Sequence, residues 1–187
     1  MRIRPAESVP VFLAVLSLIL GCGSEASGDD PDQTPVIETD STGEIVIEDV
    51  ILQWSAEVSG IQITVSAPTT GWIAVGFEPS AAMKDADIIM GYVSDGEVYI
   101  RDDWGDGYTS HKSDEELGGS DDITAVSGSE ESGITVISFN RPLSSDDTYD
   151  RELVIGNTYT ILLAYGPDDD DNFQGYHAWA ETVEIEL

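Results

Sequence analysis

Ile61-Gln62-Ile63-Thr64-Val65-Ser66 alternates apolar and polar residues one by one, and Gly71-Trp72-Ile73-Ala74-Val75-Gly76-Phe77, a few residues on, is apolar throughout. A period of two marks a half-buried strand, because successive side chains of extended backbone point to opposite faces. The unbroken run follows the turn sequence Pro68-Thr69-Thr70-Gly71 and reads as a strand in the interior. Further strand patterns flank these two. Ile45, Ile47 and Ile51 lead to Trp54. After Phe77 come Asp87–Val93, Glu97–Arg101, Ile123–Val126, Ile134–Phe139, Thr158–Ala164 and Gly175–Leu187. Asp95-Gly96, Ser132-Gly133 and Gly156-Asn157 are turn signals between them. No long amphipathic helix and no repeat of fixed period occurs. About nine to eleven short strands with such turns predict an all-β domain, an antiparallel β-sandwich over residues 44–187.

The N-terminal part has another character. Arg2 and Arg4 precede an apolar run, Val11–Leu20, broken only by Ser17. Ten residues of helix cover about 15 Å, half of a bilayer core. The pattern predicts an export signal over residues 1–21 rather than a spanning helix. Ile19-Leu20-Gly21-Cys22 resembles the bacterial lipobox, which implies that Cys22 is the lipidated first residue of the mature protein, anchored by its acyl chains. Gly23 stands where an Asp would retain such a protein at the inner membrane, so the outer membrane is the expected location in a two-membrane cell. Residues 22–43 comprise this Cys and a stretch rich in Gly, Ser, Asp, Glu, Thr and Pro, expected to be a disordered acidic tether.

Composition narrows the function. Of 187 residues, 37 are Asp or Glu and 7 are Lys or Arg, for a net charge of −30. Nucleic acid is not an expected partner, since phosphate binding needs a basic face. One Cys excludes an internal disulfide and an intrachain thiolate cluster, and two His are too few for a multi-histidine copper or zinc site. Neither a Gly-x-Ser-x-Gly elbow nor a Walker loop occurs, so no independent active site is expected. Asp102-Asp103-Trp104-Gly105-Asp106-Gly107 and Asp168-Asp169-Asp170-Asp171-Asn172 are acid-rich loops. Neither matches an EF-hand, because Trp104 and Phe173 occupy required positions. They are expected to be solvated turns or calcium sites of another kind.

Met83 and His177 are the candidate ligands. A lone Met near a core is normally filler, and a lone His beside aromatics is normally a hydrogen-bonded residue. Together they supply a thioether and an imidazole, the pair that holds low-spin haem iron. No Cys-x-x-Cys-His occurs, so such a haem would be non-covalent, haem b.

Several motifs carry a resemblance: Trp54, Gly71-Trp72 through Gly76-Phe77, Met83-x-x-Ala86-Asp87, Gly91-Tyr92-Val93 and Gly96-x-Val98-Tyr99. Phe139-x-Arg141-Pro142-Leu143, Asp146-Asp147, Leu163-Ala164-Tyr165-Gly166 and Tyr176-His177 continue it. In this order the chain resembles the DOMON family, named for a non-catalytic domain of dopamine β-monooxygenase and similar to the cytochrome domain of cellobiose dehydrogenase. The resemblance implies an immunoglobulin-like β-sandwich that cradles haem or a sugar-like ligand, with axial Met and His ligands at positions matched by Met83 and His177. Two departures stand out: Lys84-Asp85 where many members have Gly, and Ala178-Trp179-Ala180-Glu181 after the His.

The expected function is electron transfer by an envelope-anchored b-type haem domain serving a redox partner protein. Trp72, Phe77, Met90, Tyr92 and Trp179 are the expected pocket walls, and Trp179 either walls a haem or fills its place. The alternative is a non-redox module that holds a carbohydrate, another small ligand or calcium, with Trp104 and Tyr108 stacking on a sugar. His111 receives no role.

Overall fold

The computed structural model describes residues 40–187. The expected signal segment, Cys22 and the tether up to residue 39 lie outside the described residues. Eleven strands form two sheets. In chain order they are β1 (Asp40–Ile47), β2 (Val50–Glu57), β3 (Gly60–Ala67), β4 (Ile73–Phe77), β5 (Asp87–Ser94) and β6 (Glu97–Trp104). There follow β7 (Lys112–Ser113), β8 (Thr124–Glu131), β9 (Ile134–Arg141), β10 (Thr158–Tyr165) and β11 (Trp179–Glu186). One sheet has the order β1-β2-β3-β9-β8 and the other β11-β10-β4-β5-β6-β7. Every pairing between them is antiparallel. The only helix among the described residues is α1 (Asp114–Leu117), capped by the Ser113 hydroxyl.

The alternation read from β3 sorts its residues as expected: Ile61, Ile63 and Val65 are buried, and Gln62 is exposed. Leu52, Ile63, Val75, Phe77, Ile89, Phe139, Ile161 and Leu163 meet between the sheets. Burial of each such side chain contributes about 1.5–3 kcal/mol. Asp95 and Gly96 both take positive φ, 54° and 80°, between β5 and β6. That is the two-residue hairpin turn whose twist matches the flanking strands. The Tyr159 hydroxyl lies 2.6 Å from the Val154 amide, a corner tie of the kind found in immunoglobulin-like sandwiches.

Two expectations need correction. Residues 40–43, expected in the tether, belong to the sandwich. They pair with Trp54–Glu57 as the first half of β1. The physical reason is Trp54, whose indole covers Gly43 so closely that a Cβ there would lie 2.1 Å from it. A polar composition hid a strand held by its neighbour. The run Trp72–Phe77 is not interior on both sides: Ile73, Val75 and Phe77 enter the core, while Ala74 and Gly76 face outward.

Candidate functional site

The outward face of the six-stranded sheet carries a cleft of about 660 Å³. Its floor follows from register and alternation. Ala180, Ala164, Ala74 and Met90 stand opposite one another across β11, β10, β4 and β5. Thr182, Leu162, Gly76 and Ile88 form the next row. All eight line the cleft. The first row is short-chained over three strands, which leaves open space above a flat apolar surface. At Gly76 a Cβ would come within 3.3 Å of both Ile88 and Leu162, so glycine keeps the floor low there.

Three loops form the rim. Met83 belongs to the segment between β4 and β5, which is braced on several sides. The Asp85 amide donates to the Gly105 carbonyl at 2.8 Å, and the Gly105 amide to the Ala86 carbonyl at 2.8 Å. Gly105 admits this approach because a Cβ there would lie 1.7 Å from the Met83 carbonyl oxygen. The Arg151 guanidinium donates to the Asp85 carbonyl through Nη2 at 2.6 Å. Asp85 in turn accepts from Ser80 at 2.6 Å and Lys84 at 2.7 Å. The Lys84-Asp85 departure thus serves as an internal brace of the Met83 loop. His177 and Tyr176 come from the loop before β11, and Tyr108 and His111 from the loop after β6.

Met83, His177, Trp72 and Met90 line this one cleft. The other three expected walls lie elsewhere. Phe77 points to the core by strand alternation. Tyr92 shares the face of Met90 but lies two residues further along, stacked on Tyr99 at 5.0 Å and against Phe173 at 5.0 Å. Trp179 faces the opposite side of β11 from Ala180, stacked on Tyr165 at 5.6 Å and packed against the core. It neither walls the cleft nor fills it. Trp104 lies edge-on to Tyr149 at 5.9 Å and beneath the Arg151 guanidinium at 5.0 Å, so it is not a free stacking platform.

His111 is the site residue that sequence reasoning missed. Its Nδ1 lies 2.5 Å from a carboxylate oxygen of fully buried Asp103, which also accepts two bonds from Arg101. Burial pushes the Asp103 carboxyl up, but the His111 and Arg101 hydrogen bonds outweigh it and hold the group below the usual carboxylate range. With Nδ1 engaged there, Nε2 is the ring nitrogen left for the cleft. No local motif marks His111, because its neighbours Ser110 and Lys112 are polar.

The carboxylates of the two acid-rich loops go to different partners. Asp102 and Asp103 point to opposite faces of β6, and Asp106 pairs with Lys112 at 2.8 Å. Asp168 accepts from the Thr70 amide, and Asp170 from the Trp72 indole N–H at 3.3 Å. Asp102 instead turns inward and joins a buried group. Burial, then the charges of Asp87, Asp114 and Asp150, push its carboxyl up to about 9.

A model of the DOMON domain matches residues 47–166. The chain belongs to the DOMON family. Among curated proteins it is 29% identical over 140 residues to mouse DBH-like monooxygenase protein 2, covering 72% of this chain and 21% of that protein. It is 30% identical over 118 residues to human DBH-like monooxygenase protein 1, covering 63% of this chain and 18% of that protein. This DOMON chain thus spans about a fifth of those relatives. In fold it is similar to the cytochrome b domain of pyranose dehydrogenase from Coprinopsis cinerea, with a TM-score of 0.60 at 14% identity over 77% of this chain and 80% of that one. The cytochrome domain of cellobiose dehydrogenase from Myriococcum thermophilum gives a TM-score of 0.57 at 14% identity, over 78% and 81%.

Proposed function

We propose that this DOMON domain is a non-catalytic, b-type haem-binding domain that passes electrons, moored to a bacterial envelope through a lipidated Cys22. The observation that carries the reading is that Met83 and His177, far apart in sequence, line one apolar cleft. The residues suit a flat macrocycle: a sheet surface of alanines and glycine below, a thioether on one rim segment and an imidazole on another. When bound, haem b supplies one-electron chemistry. The chain's own residues do the rest. Ile88, Met90 and Leu162 exclude water from the floor. Trp72, bonded to Asp170, ties the segment carrying His177 to the start of β4. The braces around Asp85 restrain the loop of Met83. A net charge of −30 favours the oxidised form, repels nucleic acid and anionic lipid, and suits a cationic redox partner protein. Two solved domains similar in fold are cytochrome domains, which supports the reading.

The test is the absorption spectrum of the full chain produced with haem supplied. A sharp α-band on reduction is expected, and it disappears in Met83→Ala and in His177→Ala. A colourless, folded protein overturns the proposal.

One observation favours a second reading, a non-redox ligand module on the same cleft. Tyr108 and Tyr176 stand at its mouth 65% and 90% exposed, free to stack on a sugar ring. Calorimetry of the haem-free chain against glycans separates the two.

A further inference from the structure

On the core-facing side of β5 and β6, away from the cleft, carboxylate oxygens of Asp87, Asp102 and Asp150 all lie within 4.8 Å of one another. Asp87 is 1% exposed and Asp102 2%. Each has one oxygen in use. Asp87 Oδ2 accepts from Arg141 Nη1 and from the Arg151 amide. Asp102 Oδ2 accepts from the Asp122 amide at 3.4 Å. The other oxygen of each, Oδ1, is buried with no hydrogen-bond partner. Both oxygens of fully buried Asp114 are equally bare. A buried polar atom without a partner costs about 1–3 kcal/mol, and more when charged.

The basic side chains nearby do not relieve this. Arg141 is engaged with Asp87 and the Arg151 carbonyl, and its Nη2 lies 4.0 Å from Asp150 Oδ1. Arg151 bonds the Asp85 carbonyl and covers Trp104. Neither donates to Asp102. We propose that Asp87, Asp102 and Asp150 bind one calcium ion. The donors are all hard oxygens, which select calcium or magnesium rather than zinc or copper. Two oxygens on one calcium lie at most about 5 Å apart, which these three satisfy. The ion would join β5, β6 and the segment before β10. Asp87 directly follows the Met83 loop, and Arg151, which grips that loop, follows Asp150. The site therefore fixes the root of the Met83 segment, whatever the cleft binds.

The experiment is calorimetric titration of the chelator-treated full chain with calcium chloride, with thermal unfolding in parallel. It is run at about 0.15 M salt, where loose attraction to the acidic surface is screened. One saturable calcium per chain is expected, with a Tm that climbs with calcium concentration. Asp102→Asn weakens binding by at least about tenfold, since affinity follows ligand charge. Asp168→Asn, an exposed carboxylate outside the group, leaves it unchanged. Terbium luminescence excited through tryptophan reads the unmutated chain, and a large excess of calcium should lower it. Three results overturn the proposal: no calcium-dependent Tm, equal losses in Asp168→Asn and Asp102→Asn, or Asp102→Asn raising Tm while calcium does nothing. The last is the behaviour of carboxyls kept neutral by protons.

Discussion

Arg141 donates to the Asp87 carboxylate in the space between the two sheets, and each side chain is only 1% exposed. The pair joins β9 of one sheet to β5 of the other. Arg141 also donates to the carbonyls of Pro142 at 3.2 Å and Arg151 at 2.7 Å, and its guanidinium covers the Phe77 ring at 5.0 Å. The motifs Phe139-x-Arg141 and Met83-x-x-Ala86-Asp87 are thus two halves of one contact.

Breaking a buried pair from one side leaves an uncompensated charge, at a cost of about 3–5 kcal/mol. Arg141→Leu should lose that much in urea denaturation. Adding Asp87→Asn should recover part of the loss, because it removes the stranded carboxylate. A loss under about 1 kcal/mol would show that the pair contributes little.

The buried acids set an unusual pH dependence. Burial, and neighbouring carboxylates, push Asp102 up to about 9 and Asp114 up to about 7. Burial raises Asp87 to about 6 against the pull of Arg141. Burial and Asp150 raise Asp122. These groups hold protons in the folded state that the unfolded chain releases near pH 4. Their contribution is present below that pH and fades as pH climbs toward 9. Asp103, held low by His111 and Arg101, acts oppositely, losing its contribution only as pH falls below about 4. In chelator, the urea midpoint should therefore decline from pH 5 to pH 9, and Asp102→Asn should flatten the alkaline part. A midpoint that increases over this range contradicts the assignment.

The cleft can be filled without disturbing the core. Ala164 lies mid-floor, facing outward from β10 between Ala180 and Ala74. Ala164→Phe should abolish haem uptake, read as loss of the reduced α-band, while the far-ultraviolet dichroism stays unchanged. Trp179→Phe, on the other face of its strand, should leave uptake intact. The opposite pattern would place the ligand on the wrong side of β11.

Two imidazoles line the cleft, and spectroscopy decides between them. His111 has its Nδ1 held by Asp103, and a histidine fixed in this way is well oriented to act through Nε2. With His177 as the iron ligand, His111→Ala keeps a low-spin reduced spectrum and His177→Ala loses it. If only His111→Ala loses it, the assignment passes to His111.

The amino-acid sequence by itself determined the strands and their turns, because side-chain alternation and positive-φ turns are local properties of extended backbone. It also singled out Met83 and His177, since a thioether and an imidazole are rare chemistry in so acidic a chain. It did not separate Met90 from Tyr92, or Ala180 from Trp179, because the cleft exists only where registers across four strands align short side chains. Tertiary structure alone decided that Trp179 packs on Tyr165, that His111 reaches the cleft, and that Asp102 leaves its acidic run to join Asp87 and Asp150. Each depends on which strand face the residue or its partner occupies and on what lies opposite, and such long-range pairing is not encoded in neighbouring residues. The same holds at Asp40–Gly43, where a polar stretch becomes a strand because Trp54 lies across it.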